Sequence, residues 1–301
     1  MAQSFQPKGA QDDGSTKAWT WFEGAWHDKP VRIMDAIGPA SWLSSNVFDG
    51  ARYFDHVAPD LDLHCQRVIN SAKLLGLAPT MTAEEIAALA WDGIRQFAPD
   101  DALYVRPMFF AGSGFVIPDP ESTQFALVLE VMPLPAPDGF SACLTKFRRP
   151  SPETAVTEAK AGALYPNVAR CVRDAMEKGF DNAVVLDGNG NVAEFATANL
   201  FIVKDGVAIT PISNGTFLAG ITRSRIITLL REAGVTVEEK RLTFDDVLAA
   251  DEAFSTGNYG KVLPCTRIEE RNMQPGPIGR KAREMYFAWA HQQPSPVKSA
   301  A

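Results

Sequence analysis

The sequence predicts an α+β protein built from two domains, and three observations predict it. Helix-like and strand-like segments follow one another without regular alternation, which disfavours a doubly wound parallel sheet. The stretch AVVLDGNGNVAEFATANLFIVKDGVAITP (183–211) is broken at Asp187-Gly188 and Asp205-Gly206, turn pairs that mark a β-meander. PLPAPDG (133–139) brings three prolines and a glycine together, a composition suited to an interdomain crossing. The expected division is a tail at 1–16, a smaller mixed α/β N-terminal domain at 17–132, a loop at 133–139, a larger C-terminal domain with an antiparallel, barrel-like sheet at 140–291, and a tail at 292–301.

The elements follow in order. WTWFEGAWHDKPVRI (19–33) is two short runs around a glycine-containing turn, a β-hairpin. LDLHCQRVINSAKLLGL (61–77) spaces Leu63, Val68, Ile69, Ala72 and Leu75 as one helix face and stops at Gly76. Thr82 and Glu85 form a capping box at the start of EEIAALAWDGIRQF (84–97). ALYVRPMFFAG and FALVLEVMPL are rich in strand-forming residues. Beyond the loop come a strand, FSACLTKF, and helices at NVARCVRDAMEKG, GITRSRIITLLREAG and PIGRKAREMYFAWAHQ. The second of these helices reads as starting near Thr222 and closing at Gly234. DEAFSTGNYGKVLP (251–264) is a strand running into a glycine-bracketed loop.

Composition narrows the function. At 301 residues, 46% hydrophobic and 22% charged, the chain has the make-up of a soluble globular protein. A net charge of −7, with no Lys/Arg-rich run, argues against nucleic acid as a partner. No apolar stretch approaches the ~20 residues a membrane helix needs. MAQSFQPKGAQDDGST lacks the apolar centre of a secretory signal, so a cytoplasmic location is expected. Cys65, Cys143, Cys171 and Cys265 are isolated in sequence, as are the four histidines, and no metal-ligand spacing arises.

Several residues carry possible chemistry. Lys160, in TEAKAGALYP, is either a solvated charge or an enclosed amine; its neighbours Ala159, Ala161, Gly162 and Ala163 offer no side chain to pair an ammonium, a setting that suits a reactive lysine. LAGITR (218–223) is either an ordinary helix start or a phosphate site, in which the amides of Gly220, Ile221 and Thr222 point out of a helix N-terminus. Glu194, the single acid in VAEFATANLF, reads alone as an outward surface charge; turned inward, it would need a cationic or N–H partner. Arg67 and Arg106 can each simply snorkel. GNGN (188–191) is a hairpin turn rather than a phosphate loop.

Taken in order, VFDGAR (47–52), HCQRVINSAK (64–73), YVRP (104–107), AKAGALY (159–165), AEFATANLF (193–201), LAGITR (218–223) and FSTGNYGKVLP (254–264) resemble the branched-chain aminotransferase family, the fold-type IV enzymes that use pyridoxal 5′-phosphate. The resemblance implies a transaminase that passes an amino group from a branched-chain amino acid to a 2-oxo acid such as 2-oxoglutarate. An amine or D-amino-acid transaminase, or an aminodeoxychorismate-lyase-like enzyme, is the alternative on the same scaffold. It implies that Lys160 forms the Schiff base with the cofactor and then shuttles a proton. Glu194 would face the pyridine nitrogen, Tyr165 would bond the phenolate oxygen, and Arg67 with Gly220, Ile221 and Thr222 would hold the phosphate, the fork of the arginine suiting that group. Leu218 and Asn258 would be further cofactor contacts, and Phe48, Tyr104, Arg106, Tyr259 and Gly260 would line the substrate side. Family members are homodimers or larger. The chain departs from the family at Asn258-Tyr259-Gly260, where a Thr-Ala-Ala run is usual, at Leu43 in place of a pocket tyrosine, and at Leu134 in place of a loop tryptophan.

Overall fold

A computed structural model describes residues 17–273 and 275–296. The expected tail at 1–16 and half of that at 292–301 therefore lie outside the described residues. The chain divides into two compact units. The first comprises residues 1–135, 159–163 and 290–301; the second comprises 136–158 and 164–289. The five residues around Lys160 thus belong to the first unit, although the chain on either side of them belongs to the second.

In the first unit, β1 (Ala18–Phe22) and β2 (Ala25–His27) form the expected hairpin. A single-turn helix, α1 (Pro39–Trp42), precedes β3 (Asn46–Phe48) and β4 (Ala51–Tyr53). Helices α2 (Leu61–Leu74) and α3 (Ala83–Ile94) come next, then the long strands β5 (Leu103–Ala111) and β6 (Thr123–Val131). The sheet runs β2-β1-β6-β5-β3, with β4 also on β5, and every pairing is antiparallel. Alternation decides the faces. Leu103, Val105, Phe109, Leu127 and Leu129 are fully buried on one side, as are Val68, Ala72, Ile86 and Ala90 of the two helices. Residues of the opposite register in β5, Tyr104, Arg106 and Met108, are only partly covered.

Helix α2 ends as its sequence indicates. Gly76 takes φ +76° just past the last turn, a left-handed conformation that side chains resist. Leu63, placed on the apolar face by spacing, is instead 44% exposed; Leu61 and Cys65 take the inward positions. Thr82 and Glu85 make both bonds of the capping box.

In the second unit, β7 (Phe140–Arg148), α4 (Tyr165–Glu177) and β8 (Asn182–Leu186) form one parallel crossover. β9 (Val192–Phe195), β10 (Asn199–Lys204) and β11 (Val207–Pro211) follow. Helix α5 (Ile221–Glu232) links β11 to β12 (Val237–Lys240), again in parallel. The short α6 (Phe244–Leu248) leads to β13 (Glu252–Gly257), β14 (Lys261–Ile268), β15 (Arg271–Asn272) and the final α7 (Pro277–Ala290).

The strand order is β12-β11-β10-β13-β14-β7-β8-β9 with β15 on β14, so the sheet is mixed rather than purely antiparallel. The stretch 183–211 is also not one continuous meander. β8–β9 and β10–β11 are hairpins at opposite ends of the ladder, with β13, β14 and β7 between them. Only Ala196–Ala198 separate β9 from β10, and Phe195 bridges to Ala198. Three residues span little more than ~10 Å. β9, at one end of the ladder, must therefore come back against β10, two strands in from the other end, and the sheet curls around a core that holds Val192 and Phe195 with Leu200, Ile202 and Ile209. A second core, Cys143, Cys171, Val172, Ala175, Phe180, Ala183 and Val185, lies beneath α4. All four cysteines are buried free thiols, and burial pushes Cys65 and Cys265 up to about 12 and Cys143 up to about 11.

Candidate active site

In the first unit, the lysine segment is fastened to a strand edge. Ala161 bridges to Val47 of β3, the amide of Phe48 donates to the carbonyl of Lys160 at 3.1 Å, and the amide of Lys160 donates to Ser71 Oγ of α2 at 3.0 Å. Ala159 and Ala161 are buried, and the ammonium of Lys160 lies 5.0 Å from the centroid of the Phe48 ring. The backbone here is held by sheet and helix together, while the side chain rests on an aromatic face.

Strand register brings the predicted substrate residues of this unit to one surface. Phe48 pairs with Met108 across β3–β5, and Tyr104, Arg106 and Met108 share the same face of β5. The guanidinium of Arg106 lies 5.0 Å over the Tyr104 ring and is ion-paired with Glu130 on β6. Arg106 is therefore committed to a partner and does more than snorkel.

Arg67 likewise has a fixed partner. Its Nε and Nη2 donate to the two oxygens of Asp49 at 2.6 and 2.8 Å, and His64 Nδ1 meets Asp49 Oδ1 at 2.7 Å. The amide of Gly50 donates to the same oxygen at 2.7 Å. The sequence matched the arginine fork to a phosphate; in the structure that edge is filled by Asp49, because a carboxylate with no exposure to water must be neutralised locally. Burial pushes the Asp49 carboxyl up, but the charges and hydrogen bonds of Arg67 and His64 outweigh it and hold Asp49 well below the usual carboxylate range.

In the second unit, Glu194 points inward, against the reading of an outward surface charge. It is 7% exposed on β9, and both kinds of partner that an inward acid needs are present. Arg149 Nε lies 3.3 Å from Oε1, and Asn199 Nδ2 donates to Oε2 at 3.1 Å. Arg149 is also buried and donates to the carbonyl of Thr216 at 3.2 Å. Asn199 links the acid to the start of α5: its Nδ2 reaches the carbonyl of Leu218 at 3.2 Å, and its Oδ1 fills the space that a side chain at Gly220 would need. That close approach requires glycine at the head of LAGITR.

Helix α5 begins at Ile221, one residue before the position read from sequence. Gly220 is its N-cap, no side chain caps it, and Thr222 is buried in its first turn. Thr256, opposite Asn199 in the β10–β13 pairing, has a buried hydroxyl with no hydrogen-bond partner. Asn258 likewise holds a buried Nδ2 with no partner. Two orphaned donors in the strand beside an uncapped helix N-terminus are what a phosphate would satisfy, so the residues fit such a group. Tyr165 begins α4 and is 37% exposed; Tyr259 is 36% exposed and Gly260 is buried. Among the described residues, no group of three or more His, Cys, Asp or Glu side chains could hold a metal ion.

Sequence reasoning missed Asp49, His64, Ser71, Arg149, Asn199, Glu130 and Thr256. Asp49 stood inside VFDGAR, but nothing local shows that it faces residues fifteen and eighteen positions later. Arg149 lies in the strand-ending RRP and is drawn to Glu194 only by the sheet.

The curled mixed sheet thus ties a buried, ion-paired carboxylate, through one amide, to the uncapped start of a helix. Residues 46–268 match the class IV amino-transferase family, well over half the chain, and the chain belongs to that family. A crystal structure of an aminotransferase from Brucella abortus bound to the co-factor PLP is 51% identical, with a TM-score of 0.90 over 91% of this chain and 99% of that one. The branched-chain-amino-acid aminotransferase of Escherichia coli K12 is 30% identical over 89% of this chain and 92% of its own length. A branched-chain aminotransferase from Thermoproteus uzoniensis, crystallised with norvaline, is 28% identical, with a TM-score of 0.85 over 92% of this chain and 95% of that one.

The Asp49 cluster yields a pH prediction. A carboxyl whose folded pKa lies below its ordinary value of 3.8 contributes stability that is fully present above that value and lost as pH falls through the folded one. The urea midpoint of the wild-type chain should decline steeply below about pH 4, and that of Asp49→Asn should decline less. At neutral pH, Asp49→Asn should cost about 3–5 kcal/mol, because it leaves the Arg67 charge without its counter-ion. An unchanged neutral midpoint would remove this cluster from the list of stabilising features.

Proposed function

We propose that this chain is a pyridoxal-5′-phosphate-dependent transaminase that moves an amino group from an amino acid to a 2-oxo acid such as 2-oxoglutarate, with leucine, isoleucine and valine as favoured donors. The observation that carries the reading is the buried Glu194, fixed between Arg149 and Asn199 and tied through Asn199 to the start of α5. An inward acid and an anion site joined by one amide suit a ring nitrogen at one end of a ligand and a phosphate at the other. The names of the E. coli and T. uzoniensis relatives support the branched-chain donors.

When bound, the cofactor supplies an electron sink that lets the C–H bond beside the donor nitrogen break. The chain's own residues do the rest. Lys160 Nζ would hold the cofactor and would move the proton at the donor α-carbon, a task served by its backbone anchors to β3 and Ser71. Glu194 would hold a proton at the ring nitrogen, and Arg149 supplies the compensating charge that keeps the acid inward. Tyr165 would donate to the phenolate oxygen and Leu218 would pack on the cofactor. The amides of Gly220, Ile221 and Thr222, the Thr222 and Thr256 hydroxyls and the Asn258 amide would bind phosphate, and the charge of Arg67 would be a further attraction. Phe48, Tyr104, Arg106, Tyr259 and Gly260 orient the donor.

The Arg106–Glu130 pair favours a second reading, transamination of a primary amine. An arginine already neutralised by a glutamate is a weaker receptor for a substrate carboxylate.

We also propose that the chain works in the cytoplasm, supported by its four free buried thiols, and as a homodimer or larger assembly. No helix among the described residues is long and apolar enough to cross a membrane. Phe115, Val116 and Ile117 are 72%, 73% and 81% exposed, with the Trp42 ring tilted against Phe115 at 5.7 Å, a kind of surface that isolated chains seldom leave open. Sedimentation of the purified protein should give at least twice the 32.7 kDa chain mass, and a monomer would contradict the assembly.

Lys160→Ala should lose both turnover and the visible absorption of the covalently held cofactor, and retained turnover would refute its assignment. Half-reactions followed by absorbance should proceed with L-leucine, L-isoleucine and L-valine at least tenfold faster than with a primary aryl amine, on the order of one lost charged contact. The reverse order would select the amine reading.

A further inference from the structure

Lys261 is a lysine almost without access to water, and the proposed function has not used it. It is 1% exposed, opens β14 immediately after Asn258-Tyr259-Gly260, and takes φ +61°, a left-handed conformation costly for a side-chain-bearing residue. Its backbone is clamped on both sides. Arg283 Nη1, from α7, donates to the carbonyls of Gly260 at 3.1 Å and Val262 at 2.7 Å. The ammonium lies 5.7 Å from the centroid of the Tyr286 ring and donates to Asn258 Oδ1 at 2.9 Å.

The chemistry of that last bond settles which way the Asn258 amide faces. An ammonium has donors and no acceptor, so it takes the amide oxygen and never the NH₂ group. The amide nitrogen is thereby turned away from Lys261, and it is this buried Nδ2 that has no hydrogen-bond partner. Thr256, two residues earlier on β13, has the second orphaned donor, and its pairing with Asn199 sets it beside the residue that contacts Leu218 and Gly220 at the head of α5. With the amide reversed, an oxygen lone pair would meet an incoming anion and repel it.

We propose that Lys261 is a positioning residue for anion binding: its ammonium locks the Asn258 amide so that Nδ2–H, and not Oδ1, is offered to the cofactor's phosphate. This rests on the proposed function and adds to it a residue that acts through Asn258 rather than on the ligand. The consequence is a graded dependence on hydrogen-bond donation at position 261, separate from dependence on charge.

The test titrates the full-length chain, freed of cofactor, with pyridoxal 5′-phosphate and separately with inorganic phosphate, reading dissociation constants by fluorescence and calorimetry, with thermal unfolding of each variant alongside. Lys261→Met, which has no donor, should bind both ligands roughly tenfold more weakly. Lys261→Gln, which keeps a donor but no charge, should stay within about threefold of wild type. Asn258→Asp keeps the partner of Lys261 and loses the N–H, and should show the tenfold loss with its fold intact. In an Asn258→Ala background, Lys261→Met should cause no further loss. Equal weakening by Met and Gln, additive losses in the double variant, or wild-type affinity in Asn258→Asp would each overturn the positioning role. Should the wild-type chain bind neither ligand, the proposed function itself falls; should it bind both and Lys261→Met bind equally well, the function stands and the inference falls.

Discussion

Charge removed from water must be met by other polar groups, and that constraint organises both units of this protein. A buried carboxylate or guanidinium left alone costs several kcal/mol, enough to consume a large share of a domain's net stability. Asp49 meets it with Arg67, His64 and the amide of Gly50; Glu194 meets it with Arg149 and Asn199. Each set of partners fixes a direction as well as a charge. A side chain held by two or three directed bonds has few orientations left, and this is the property a site needs if it is to place a proton or an anion reproducibly.

The curl of the larger sheet is what makes the Glu194 arrangement possible. β9 and β10 are consecutive in the chain, yet β9 ends the ladder and β13, β14, β7 and β8 stand between them in it, so residues just before and just after Ala196–Ala198 face each other across the seam. Glu194 and Asn199 sit on either side of that seam, five residues apart, and their bond spans it. On a flat meander of the same sequence the two would lie on adjacent paired strands, and the acid would have had a solvated face available.

How much of this could be read from the chain depends on the distance over which each feature is decided. The hairpin at 18–27, the capping box at Thr82 and the glycine after α2 are local and were legible. Lys160 and the LAGITR turn were legible as a pattern, since small residues around a lysine and a glycine before a helix are visible in a few letters. The inward direction of Glu194 came only with the family resemblance, because β9 is buried at all four positions and its residues show no alternation to read. The parallel crossovers through α4 and α5 were also missed: β7 and β8 read as strands, but their adjacency is a property of the sheet. Asp49 and Lys261 escaped for a related reason, since a charged residue gives no sign in sequence that its partner is buried with it. Leu63 shows the opposite error, where apolar spacing alone nominated a residue that stays in water.

The four thiols buried in these cores have a practical consequence. A cysteine with its sulfur enclosed and its ionisation suppressed reacts with an alkylating reagent only when the surrounding structure opens, so the folded chain carries its own clocks for local unfolding. Cys65 lies in the first unit and Cys143, Cys171 and Cys265 in the second. The order in which they become labelled therefore records which unit breathes first, without a single engineered probe.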